Sequence, residues 1–426
     1  MAKRIALISE HASPLAAAGG VDSGGQNIYV ANVARQLAHL GYAVDVFTRR
    51  DAPELPAVAD WLPGVRIVHV PAGPASVVEK ERLLPHMKDF AAFVADFARR
   101  AAAQGEGYAL AHANFFMSGL CALDLKHELG LPFVVTFHAL GRVRRLHQGE
   151  ADRFPPERLA IEDAVIEGAE RVIAECPQDR ADLATLYAAD PSRVTIIPCG
   201  FDRAEFWPVP RALARRTLGY RMEERILLNI GRLVPRKGVD NAIRGLGRLV
   251  RSHGIDARLV IVGGNSDLPH PDNTPEIGRL RALAEEEGVG ARVTFTGRRS
   301  REFLKLYYSA ADLFVTTPWY EPFGITPLEA MACGVPVVGS DVGGIRFSVA
   351  DGVTGALVPP NDPDALAARL AELYRDPDTR REYGRNGQRR VNAQFTWQKV
   401  GRAIATLYEQ VAAERARRPS RYAVAA

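Results

Sequence analysis

The sequence contains little cysteine and no long apolar run, and both features narrow the class of protein. Its four cysteines are Cys121, Cys176, Cys199 and Cys333, and none forms a Cys-x-x-Cys pair. Disulfide scaffolds and zinc ribbons need closely spaced cysteines, so we expect buried free thiols in a reducing compartment. No run approaches the roughly 20 apolar residues of a membrane-spanning helix. The segment 1–10 predicts a strand rather than a signal peptide, which favours a cytoplasmic protein.

The sequence also lacks any concentrated block of positive charge. Its net charge is +4, and the basic residues are scattered rather than interleaved with aromatic residues in one segment. Nucleic-acid-binding surfaces cluster lysine and arginine on one face or stripe. We therefore expect no nucleic acid partner. The sequence gives no signal for the oligomeric state.

No pattern of metal ligands is present. Asp-x-Asp occurs at 362–364 and 376–378, where the intervening proline predicts a helix start or a turn rather than a strand-end metal motif. No group of histidines and cysteines has the spacing of a zinc site. We therefore predict no bound metal and no required cofactor.

Short apolar runs alternate with helical patterns along the chain, which predicts an α/β protein. Buried parallel strands read as continuous apolar runs, and helices cover both faces of their sheet. A chain of 426 residues is too long for one core, so we expect two doubly wound domains. The predicted strands are 5–8, 44–48, 65–70, 110–113, 133–137, 172–174, 194–197, 225–229, 259–262, 293–296, 313–317, 335–339 and 356–358. The predicted helices include 27–40, 85–103, 156–168, 239–251, 275–287, 301–311, 364–375 and 397–414.

Proline and glycine interrupt both patterns near 198–203 and 207–210, as a linker would. We predict a first domain at 1–202, a second at 203–395 and a C-terminal helix within 396–426. An apolar stripe on the helix 85–103 predicts packing against the first sheet, and membrane contact is the less favoured interpretation.

The segment 320–334 carries two carboxylates eight positions apart. Glu321 follows the predicted strand 313–317, and Glu329 lies about one turn inside the next helix. A helix N-terminus offers unpaired N–H groups and a partial positive charge. Carboxylates on both sides of it can bind neutral hydroxyls, which suits a polyhydroxyl ligand. A helix-terminal carboxylate and a solvated one would give the same spacing.

Each predicted domain has a loop suited to phosphate after its first strand. Gly24 and Gly25 let backbone N–H groups approach an anion at a helix N-terminus. Arg232 and Lys237 offer a planar fork and a point charge for phosphate oxygens. The glycines do not form Gly-x-Gly-x-x-Gly, and no acidic residue ends the second strand, which argues against a nicotinamide cofactor. Each loop alone also fits an ordinary turn with solvated cations.

With Pro-Phe-Gly after Glu321 and Gly-Val-Pro-Val-Val at 334–338, this segment resembles the Glu-x7-Glu signature of the retaining glycosyltransferases of family 4. The likeness extends over about residues 5–412. It implies the GT-B fold, in which two Rossmann-like domains face each other across a cleft and the last helix crosses back onto the first domain. It also implies a hexosyltransferase whose donor is a nucleotide diphosphate sugar, with UDP-glucose favoured.

The resemblance implies roles for individual residues. The implied catalytic residues are His138, Arg232, Lys237 and Glu321. The implied donor contacts are Gly24, Gly25, Gly264, Arg298, Phe323, Gly324, Ile325 and Glu329. The implied acceptor contacts are His11, Asp22, Gln26, Asn27, Lys80, Arg144 and Arg158. The family's reaction is a front-face attack with retention, in which the departing phosphate takes the proton of the acceptor and neither glutamate is a nucleophile.

The residues expected at the acceptor give a mixed picture. Lys80 and Arg158 match positions that bind an acceptor phosphate in some relatives. The inositol-phosphate branch of the family places Tyr and Thr on that phosphate, whereas Phe115 and Ala139 stand there in this sequence. This difference favours a sugar or a sugar phosphate such as fructose 6-phosphate. Arg144 belongs to a basic group that fits a solvated face equally well. The rival functions are a sugar-nucleotide-binding protein without turnover and a GT-B epimerase.

Overall fold

The computed structural model describes residues 3–16 and 24–417, and it contains two sheets that belong to separate halves of the chain. The strands of the first sheet are β1 (Arg4–Ile8), β2 (Ala43–Arg49), β3 (Val58–Leu62), β4 (Val65–Val70), β5 (Tyr108–Asn114), β6 (Phe133–Thr136), β7 (Arg171–Ala174) and β8 (Val194–Ile196). The helices of this half are α1 (Gly25–His39), α2 (Met87–Ala103), α3 (Phe116–Leu129), α4 (Gly141–Gln148), α5 (Glu157–Gly168) and α6 (Pro177–Tyr187). We refer to this half as the N-terminal unit.

The second sheet and its helices form the C-terminal unit. Its strands are β9 (Ile226–Ile230), β10 (Arg258–Val262), β11 (Val293–Gly297), β12 (Leu313–Thr316), β13 (Val337–Ser340) and β14 (Gly355–Val358). The helices after β8 are α7 (Arg211–Leu218), α8 (Val239–His253), α9 (Pro275–Glu286), α10 (Arg301–Ala310), α11 (Ile325–Ala332), α12 (Gly343–Ser348), α13 (Pro363–Arg375), α14 (Pro377–Gln394) and α15 (Trp397–Arg417).

Both sheets have the strand order of a doubly wound fold, which confirms the predicted α/β class. The first runs β3-β4-β2-β1-β5-β6-β7-β8 and the second runs β11-β10-β9-β12-β13-β14. In each sheet the order reverses beside the first strand, between β1 and β5 and between β9 and β12. Ligands of such folds bind at this reversal, beyond the carboxyl ends of the strands.

Strand β3 is absent from the sequence prediction. It pairs antiparallel with β4 at the edge of the first sheet, and its residues are exposed or half-buried. A half-exposed edge strand carries no continuous apolar run, so the pattern that reveals the buried parallel strands does not reveal this one. The other predicted strands are present within a few residues of their predicted ends.

The apolar stripe of α2 is buried in the N-terminal unit. Phe90 and Val94 are fully buried, and the ring of Phe97 meets that of Phe47 in β2 with 5.4 Å between centroids. Phe93 is partly buried and packs against the same cluster. The core-packing interpretation of this stripe is therefore confirmed.

The last helix packs on the N-terminal unit. A Cβ atom on Gly401 in α15 would lie 2.4 Å from the Cβ of Gln36 in α1, so the two helices pack closely at this point. The hydroxyl of Tyr408 lies 2.6 Å from Nδ1 of His112 in β5. Burial, and then the nearby ring of His138, lowers the pKa of His112 to about 3. His112 is thus a neutral core residue beneath the cleft.

Candidate active site

A cavity of about 430 Å³ lies between the two units at the carboxyl ends of their strands. It is bordered by residues from both halves of the chain, and every described residue with a predicted site role lines it. These are His11, Gly24, Gly25, Gln26, Asn27, Lys80, His138, Arg144, Arg158, Arg232, Lys237, Gly264, Arg298, Glu321, Phe323, Gly324, Ile325 and Glu329. Asp22, the remaining predicted acceptor contact, lies outside the described residues.

Lys237 and Glu321 form an ion pair inside the cleft. Lys237 ends the 3₁₀ turn Pro235–Lys237, and its Nζ donates to Oε2 of Glu321. The next residue, Gly238, has a φ of 63°, and a Cβ there would lie 1.8 Å from the carbonyl oxygen of Thr317. Only glycine fits this left-handed position against the end of β12. The close approach of the two backbones places the lysine and the carboxylate side by side.

The electrostatic field of the cleft acts on both members of this pair. Burial lowers the pKa of Lys237 to about 8; Glu321 opposes this shift, and Arg236 and Arg232 add to it. Burial alone would raise the pKa of Glu321, but Lys237, Arg236 and Arg232 hold it below its usual value. Glu321 is therefore a carboxylate at neutral pH, and Lys237 loses its charge near pH 8. Three cations surround one carboxylate, which leaves positive charge available to an anionic ligand.

Two glycines of the C-terminal unit fix the backbone around Glu321. Gly343 has a φ of 43°, and a Cβ there would lie 2.0 Å from the carbonyl oxygen of Glu321. The N–H of Gly344 donates to that oxygen at 3.1 Å, and a Cβ on Gly344 would lie 2.3 Å from the Cα of Phe323. These glycines were not singled out by the sequence analysis, although an adjacent pair after a buried strand is a typical signal of close backbone approach.

Glu329 lies one turn into α11 and is almost fully buried. Its Oε1 accepts from Nη2 of Arg301 at 3.0 Å, and its Oε2 accepts from the hydroxyl of Tyr308 at 3.0 Å. Arg301 also pairs with Glu205. Arg301 and Tyr308, the two partners of Glu329, lie on one face of α10, two turns apart, and neither was predicted from the sequence. They hold the carboxylate in one orientation at the cleft wall.

The glycine loop of the N-terminal unit meets the cationic loop of the C-terminal unit. The N–H of Gly24 donates to Oδ1 of Asn27 at 2.9 Å, which fixes the start of α1. A Cβ on Gly24 would lie 3.5 Å from Nε of Arg232, and one on Gly25 would lie 3.9 Å from Cδ1 of Ile325. The N-terminus of α1 and the guanidinium of Arg232 therefore face the same point, which is suited to an anion.

His138 lies beyond the end of β6 with a φ of 58°, which is uncommon for a residue other than glycine. Its Nδ1 is 3.0 Å from Oε1 of Glu175, and its Nε2 is 3.1 Å from Oδ1 of Asn114. The ring of Tyr29 packs against it edge-on, with 4.7 Å between centroids. Both hydrogen-bond partners hold the ring at the boundary between core and cleft. Neither Glu175 nor Asn114 is marked by a motif in the sequence.

Arg158 is a buried cation on the N-terminal side of the cleft. Its Nε donates to Oε1 of Glu162 at 2.7 Å, and its Nη2 donates to the carbonyl oxygen of Ala139 at 2.5 Å. The guanidinium also packs on the rings of Phe115 and Phe154, at 4.9 and 4.5 Å from their centroids. Nη1 has no hydrogen-bond partner among the residues that the structure describes. An unpaired buried donor is costly, and an acceptor in the cleft would relieve that cost.

Other predicted acceptor contacts are held by neighbours in the N-terminal unit. Nδ1 of His11 lies 2.6 Å from the buried carboxylate of Glu10. Nε of Arg144 donates to Asp152 at 3.0 Å. Gln26 donates to the carbonyl oxygen of Asn114 at 3.1 Å, and Asn27 donates to that of Ser13 at 3.0 Å. These contacts orient the side chains toward one wall of the cleft, where Lys80 also lies.

The far end of the cleft is shaped by glycines at the carboxyl ends of β9 and β10. Gly263 has a φ of 153°, and a Cβ there would lie 2.0 Å from the carbonyl oxygen of Gly231. Gly264 has a φ of 121° and faces the hydroxyl of Thr274. The N–H of Arg298 donates to a carbonyl oxygen of the neighbouring loop at 2.8 Å. Bare backbone therefore borders the cleft at this end.

Neither a metal cluster nor a membrane-spanning helix is found in the part of the chain that the structure describes. Residues 3–16 and 24–417 contain no group of three or more histidine, cysteine, aspartate or glutamate side chains that could hold a metal ion. Over the same ranges, no helix has both the length and the apolar character needed to cross a bilayer. All four cysteines are free and buried, as the sequence predicts.

Comparison with known proteins identifies relatives for both units. A family model described as Glycosyltransferase Family 4 matches residues 23–205, and one described as Glycosyl transferases group 1 matches residues 211–390. The D-inositol 3-phosphate glycosyltransferase of Thermobispora bispora is 36% identical over 412 residues, which cover 96% of this chain and 94% of that protein. The enzyme of the same name from Kribbella flavida is 36% identical over 97% of each chain.

Solved structures show the same relationship. The sucrose-phosphate synthase of Thermosynechococcus elongatus is 37% identical, with a TM-score of 0.87 over 97% of this chain and all of that one. The Anabaena protein HepE in complex with UDP-glucose has a TM-score of 0.73 at 20% identity, over 96% of this chain and 99% of that one, and shows the shared fold. The chain therefore belongs to glycosyltransferase family 4: it is a GT-B hexosyltransferase that moves a sugar from a nucleotide sugar to an acceptor.

Proposed function

We propose that this enzyme transfers glucose from UDP-glucose to fructose 6-phosphate with retention of the anomeric configuration. The observation that carries the proposal is that a helix N-terminus from one unit and two cationic side chains from the other face each other across the cleft. The N-terminus of α1 comes from one unit, and Arg232 and Lys237 come from the other. Both present N–H donors and positive charge to one point, where a pyrophosphate would neutralise them.

Departure of the diphosphate develops negative charge on its oxygens while the anomeric carbon gains oxocarbenium character. Arg232, Lys237 and the N–H groups in the first turn of α1, which begins at Gly25, stabilise that developing charge. The bond between the anomeric carbon and the phosphate oxygen breaks, and a bond to the acceptor oxygen forms on the same face. The proton of the acceptor hydroxyl passes to the departing phosphate oxygen, so no protein base is required.

Neither glutamate is suited to act as a nucleophile in this reaction. Glu321 is paired with Lys237, and both oxygens of Glu329 accept hydrogen bonds from Arg301 and Tyr308. A retaining hydrolase needs two carboxyl groups about 5 Å apart across the scissile bond, one of them free to attack. In our proposal, Glu321 binds sugar hydroxyls and Glu329 binds the ribose, which leaves attack to the acceptor itself.

The proposed donor is supported by ligands bound to proteins of the same fold, and the proposed acceptor is supported by a relative's name and by cations on the cleft wall. The HepE complexes contain UDP-glucose or UDP with glucose, which supports this donor for the shared fold. The sucrose-phosphate synthase relative supports a phosphorylated ketose as the acceptor. The unpaired Nη1 of Arg158, with Lys80 and Arg144 on the same wall, supplies positive charge for its phosphate.

An inositol phosphate is the second candidate acceptor, because several relatives are named for inositol 3-phosphate. Against it, Phe115 places an apolar ring on the guanidinium of Arg158, and Ala139 offers only its carbonyl oxygen. The hydroxyl donors that the inositol-phosphate branch places here are absent from both side chains.

A screen of donors and acceptors tests the proposed reaction through release of the nucleoside diphosphate. We expect UDP release from UDP-glucose to be at least about tenfold faster with fructose 6-phosphate than with fructose, because a charge-assisted hydrogen bond contributes about 1.5–3 kcal/mol. The proton coupling of the product's anomeric hydrogen should report the α configuration. Faster release with inositol 3-phosphate than with fructose 6-phosphate would make inositol 3-phosphate the acceptor. A β product would contradict retention, and release with water alone would contradict the transfer reaction.

Turnover is expected to be insensitive to EDTA. In our proposal, side-chain cations carry the charge that a divalent metal would supply, and Arg232 and Lys237 are already in place for that role. The measurement is the initial rate after gel filtration in EDTA, compared with an untreated sample. Loss of most activity in EDTA, with recovery on addition of Mg²⁺, would contradict this prediction.

A further inference from the structure

We propose that Glu175 is a positioning residue that keeps His138 doubly protonated at the wall of the cleft. The two side chains meet at 3.0 Å, and both border the cavity. The effect on catalysis rests on the proposed function. The protonation state of the ring is a property of the free protein, and it can be measured separately.

Hydrogen-bond geometry indicates the charge of the ring. Nδ1 of His138 faces the carboxylate of Glu175, and Nε2 faces Oδ1 of Asn114 at 3.1 Å. The orientation of the amide is fixed, because its Nδ2 donates to the carbonyl oxygens of Ile8 and His112 at 3.2 and 3.4 Å. A neutral imidazole has one N–H and one lone pair, so one of its two contacts would set acceptor against acceptor. The imidazolium, with two N–H groups, satisfies both.

Glu175 also contacts Cys199 and Asp179, as an acceptor through its side chain and as a donor through its backbone. Its Oε1 accepts from the thiol of Cys199 at 3.0 Å, and its backbone N–H donates to Oδ2 of Asp179 at 2.9 Å. Burial, with a further contribution from the charge of Glu175, raises the pKa of Asp179 to about 7. Asp179 therefore takes up a proton more readily than an ordinary aspartate does. Geometry makes Oε1 of Glu175 the acceptor for the thiol of Cys199 and places it against Nδ1 of His138.

The remaining titratable groups around the pair favour the same arrangement. Burial raises the pKa of the Tyr29 phenol, and burial followed by the charge of Glu175 raises that of the Cys199 thiol, so both are neutral at physiological pH. His112 is neutral because burial lowers its pKa. Across the cleft, Glu321 adds negative charge and is itself paired with a lysine. These neighbours are Tyr29, Cys176, Asp179, Cys199, His112 and Glu321.

Sheet topology brings the three partners together. Asn114 ends β5, His138 lies two residues beyond β6, and Glu175 directly follows β7. These strands are neighbours in the order β5-β6-β7, so their carboxyl ends lie side by side. The left-handed backbone at His138 is unfavourable for a residue other than glycine and persists only where the surroundings hold it. The two hydrogen bonds supply that restraint.

The charged pair holds the ring at the wall of the cleft through its hydrogen bonds to Glu175 and Asn114, and it adds no net charge. An N–H on an imidazolium makes a shorter and stronger hydrogen bond than one on a neutral ring. Because the carboxylate of Glu175 balances the charge of His138, the pair does not repel the positive character that develops at the anomeric carbon. Removing Glu175 would take away either the second proton of the ring or this balance.

Substitution Glu175→Gln tests the assignment, because glutamine keeps the shape and the acceptor oxygen but not the charge. The full-length protein would be labelled with ¹³C at histidine Cε1, and the His138 signal would be identified by its absence in His138→Gln. We expect a doubly protonated ring at about pH 7.5 in the unsubstituted protein. In Glu175→Gln we expect its titration midpoint to fall by about one pH unit or more. We also expect kcat to fall about tenfold at pH 7.5 and to recover toward pH 6.

Asp179→Asn is the matched control, because it removes a neighbouring buried carboxyl while retaining an acceptor for the N–H of Glu175. It should leave the His138 titration nearly unchanged, and Glu175→Asp should restore part of the activity. A neutral ring in the unsubstituted protein, or equal titration midpoints in Glu175→Gln and the unsubstituted protein, would overturn the proposal. Loss of activity in Glu175→Gln without a changed titration would assign Glu175 a purely structural role. The titration needs no turnover, so its outcome is independent of whether the proposed reaction is correct.

Discussion

Replacing Lys237 by alanine is expected to lower kcat/KM for the nucleotide sugar by about 10³-fold. In the proposed reaction, the ammonium group is one of the donors that stabilise the negative charge developing on the departing diphosphate. Removing one such preorganised donor costs about 10²–10³ in rate, and the loss of its full charge places this change at the upper end. The measurement is the initial rate of UDP release at saturating acceptor over a range of donor concentrations.

The same substitution should change folding stability much less than it changes the rate. Lys237 is paired with Glu321, but both side chains border an open cleft, and Arg232 and Arg236 also act on the carboxylate. Because both side chains are largely buried, we expect a loss of about 2 kcal/mol in the free energy of unfolding, between the values for exposed and fully buried pairs. Lys126→Ala is the matched control, because Lys126 pairs with Glu170 away from the cleft. Its turnover should stay within about twofold of the unsubstituted enzyme, and near-normal turnover in Lys237→Ala would remove Lys237 from the mechanism.

The pH dependence of the reaction should report the charge of Lys237. Its pKa is lowered to about 8 in the free protein, so the side chain is charged below that pH and loses its proton above it. We expect kcat/KM for the donor to fall about tenfold per pH unit above about pH 8, because this ratio reports ionisations of the free enzyme. In Lys237→Arg the guanidinium stays protonated, and the decline should disappear even if the maximal rate is lower. A decline that persists unchanged in Lys237→Arg would assign it to another group.

Removing the cation at position 158 is expected to distinguish phosphorylated from unphosphorylated acceptors. In the double variant Arg158→Met/Glu162→Gln, we expect kcat/KM for fructose 6-phosphate to fall about 10²-fold and that for fructose to change less than about threefold. A charge-assisted hydrogen bond to phosphate is worth about 1.5–3 kcal/mol, and each 1.36 kcal/mol corresponds to about tenfold in rate. Rates with the two acceptors, measured at equal concentration, give the comparison directly.

The paired substitution avoids leaving a buried charge alone. Arg158 and Glu162 are both fully buried, and removing one partner of such a pair typically costs about 3–5 kcal/mol. Methionine and glutamine keep the volume and leave the carboxamide to accept from the N–H of Gly141, as Glu162 does. The control is Arg142→Met/Asp163→Asn, which removes a nearby, partly exposed ion pair that does not line the cavity, and it should lower the rates with both acceptors equally or not at all. An equal loss with both acceptors in the double variant would assign Arg158 to folding rather than to phosphate binding.

The charged residues on the donor side of the cleft could be located from local sequence. Glu321, Glu329, Arg232 and Lys237 lie in short segments directly after strands, and an apolar run followed by glycine or a cation marks such a position. Their supporting residues were not readable in the same way. Arg301 precedes Glu329 by 28 positions, and from sequence alone it would be interpreted as a solvated helix residue. In the structure it donates to the carboxylate of Glu329.

On the acceptor side, even more of the contacts could be found only from the structure. Arg158 was identified by its position, but its unpaired Nη1 and its packing on Phe115 and Phe154 depend on three segments that are distant in sequence. Glu175 was overlooked because a single glutamate after a strand carries no periodic signal. Its role becomes visible only when β5, β6 and β7 lie side by side.

The sequence by itself determined the alternation of strands and helices, the glycines that allow backbones to touch, and the placement of charged residues at strand ends. These properties are local, because they depend on the conformational freedom and polarity of neighbouring residues. Tertiary structure alone decided which charges meet. The pairs Lys237–Glu321 and His138–Glu175 and the approach of Gly24 to Arg232 join segments that are distant in the chain. Such contacts depend on the order of strands in the sheets and on the packing of the two units, and no local pattern encodes a distance between them.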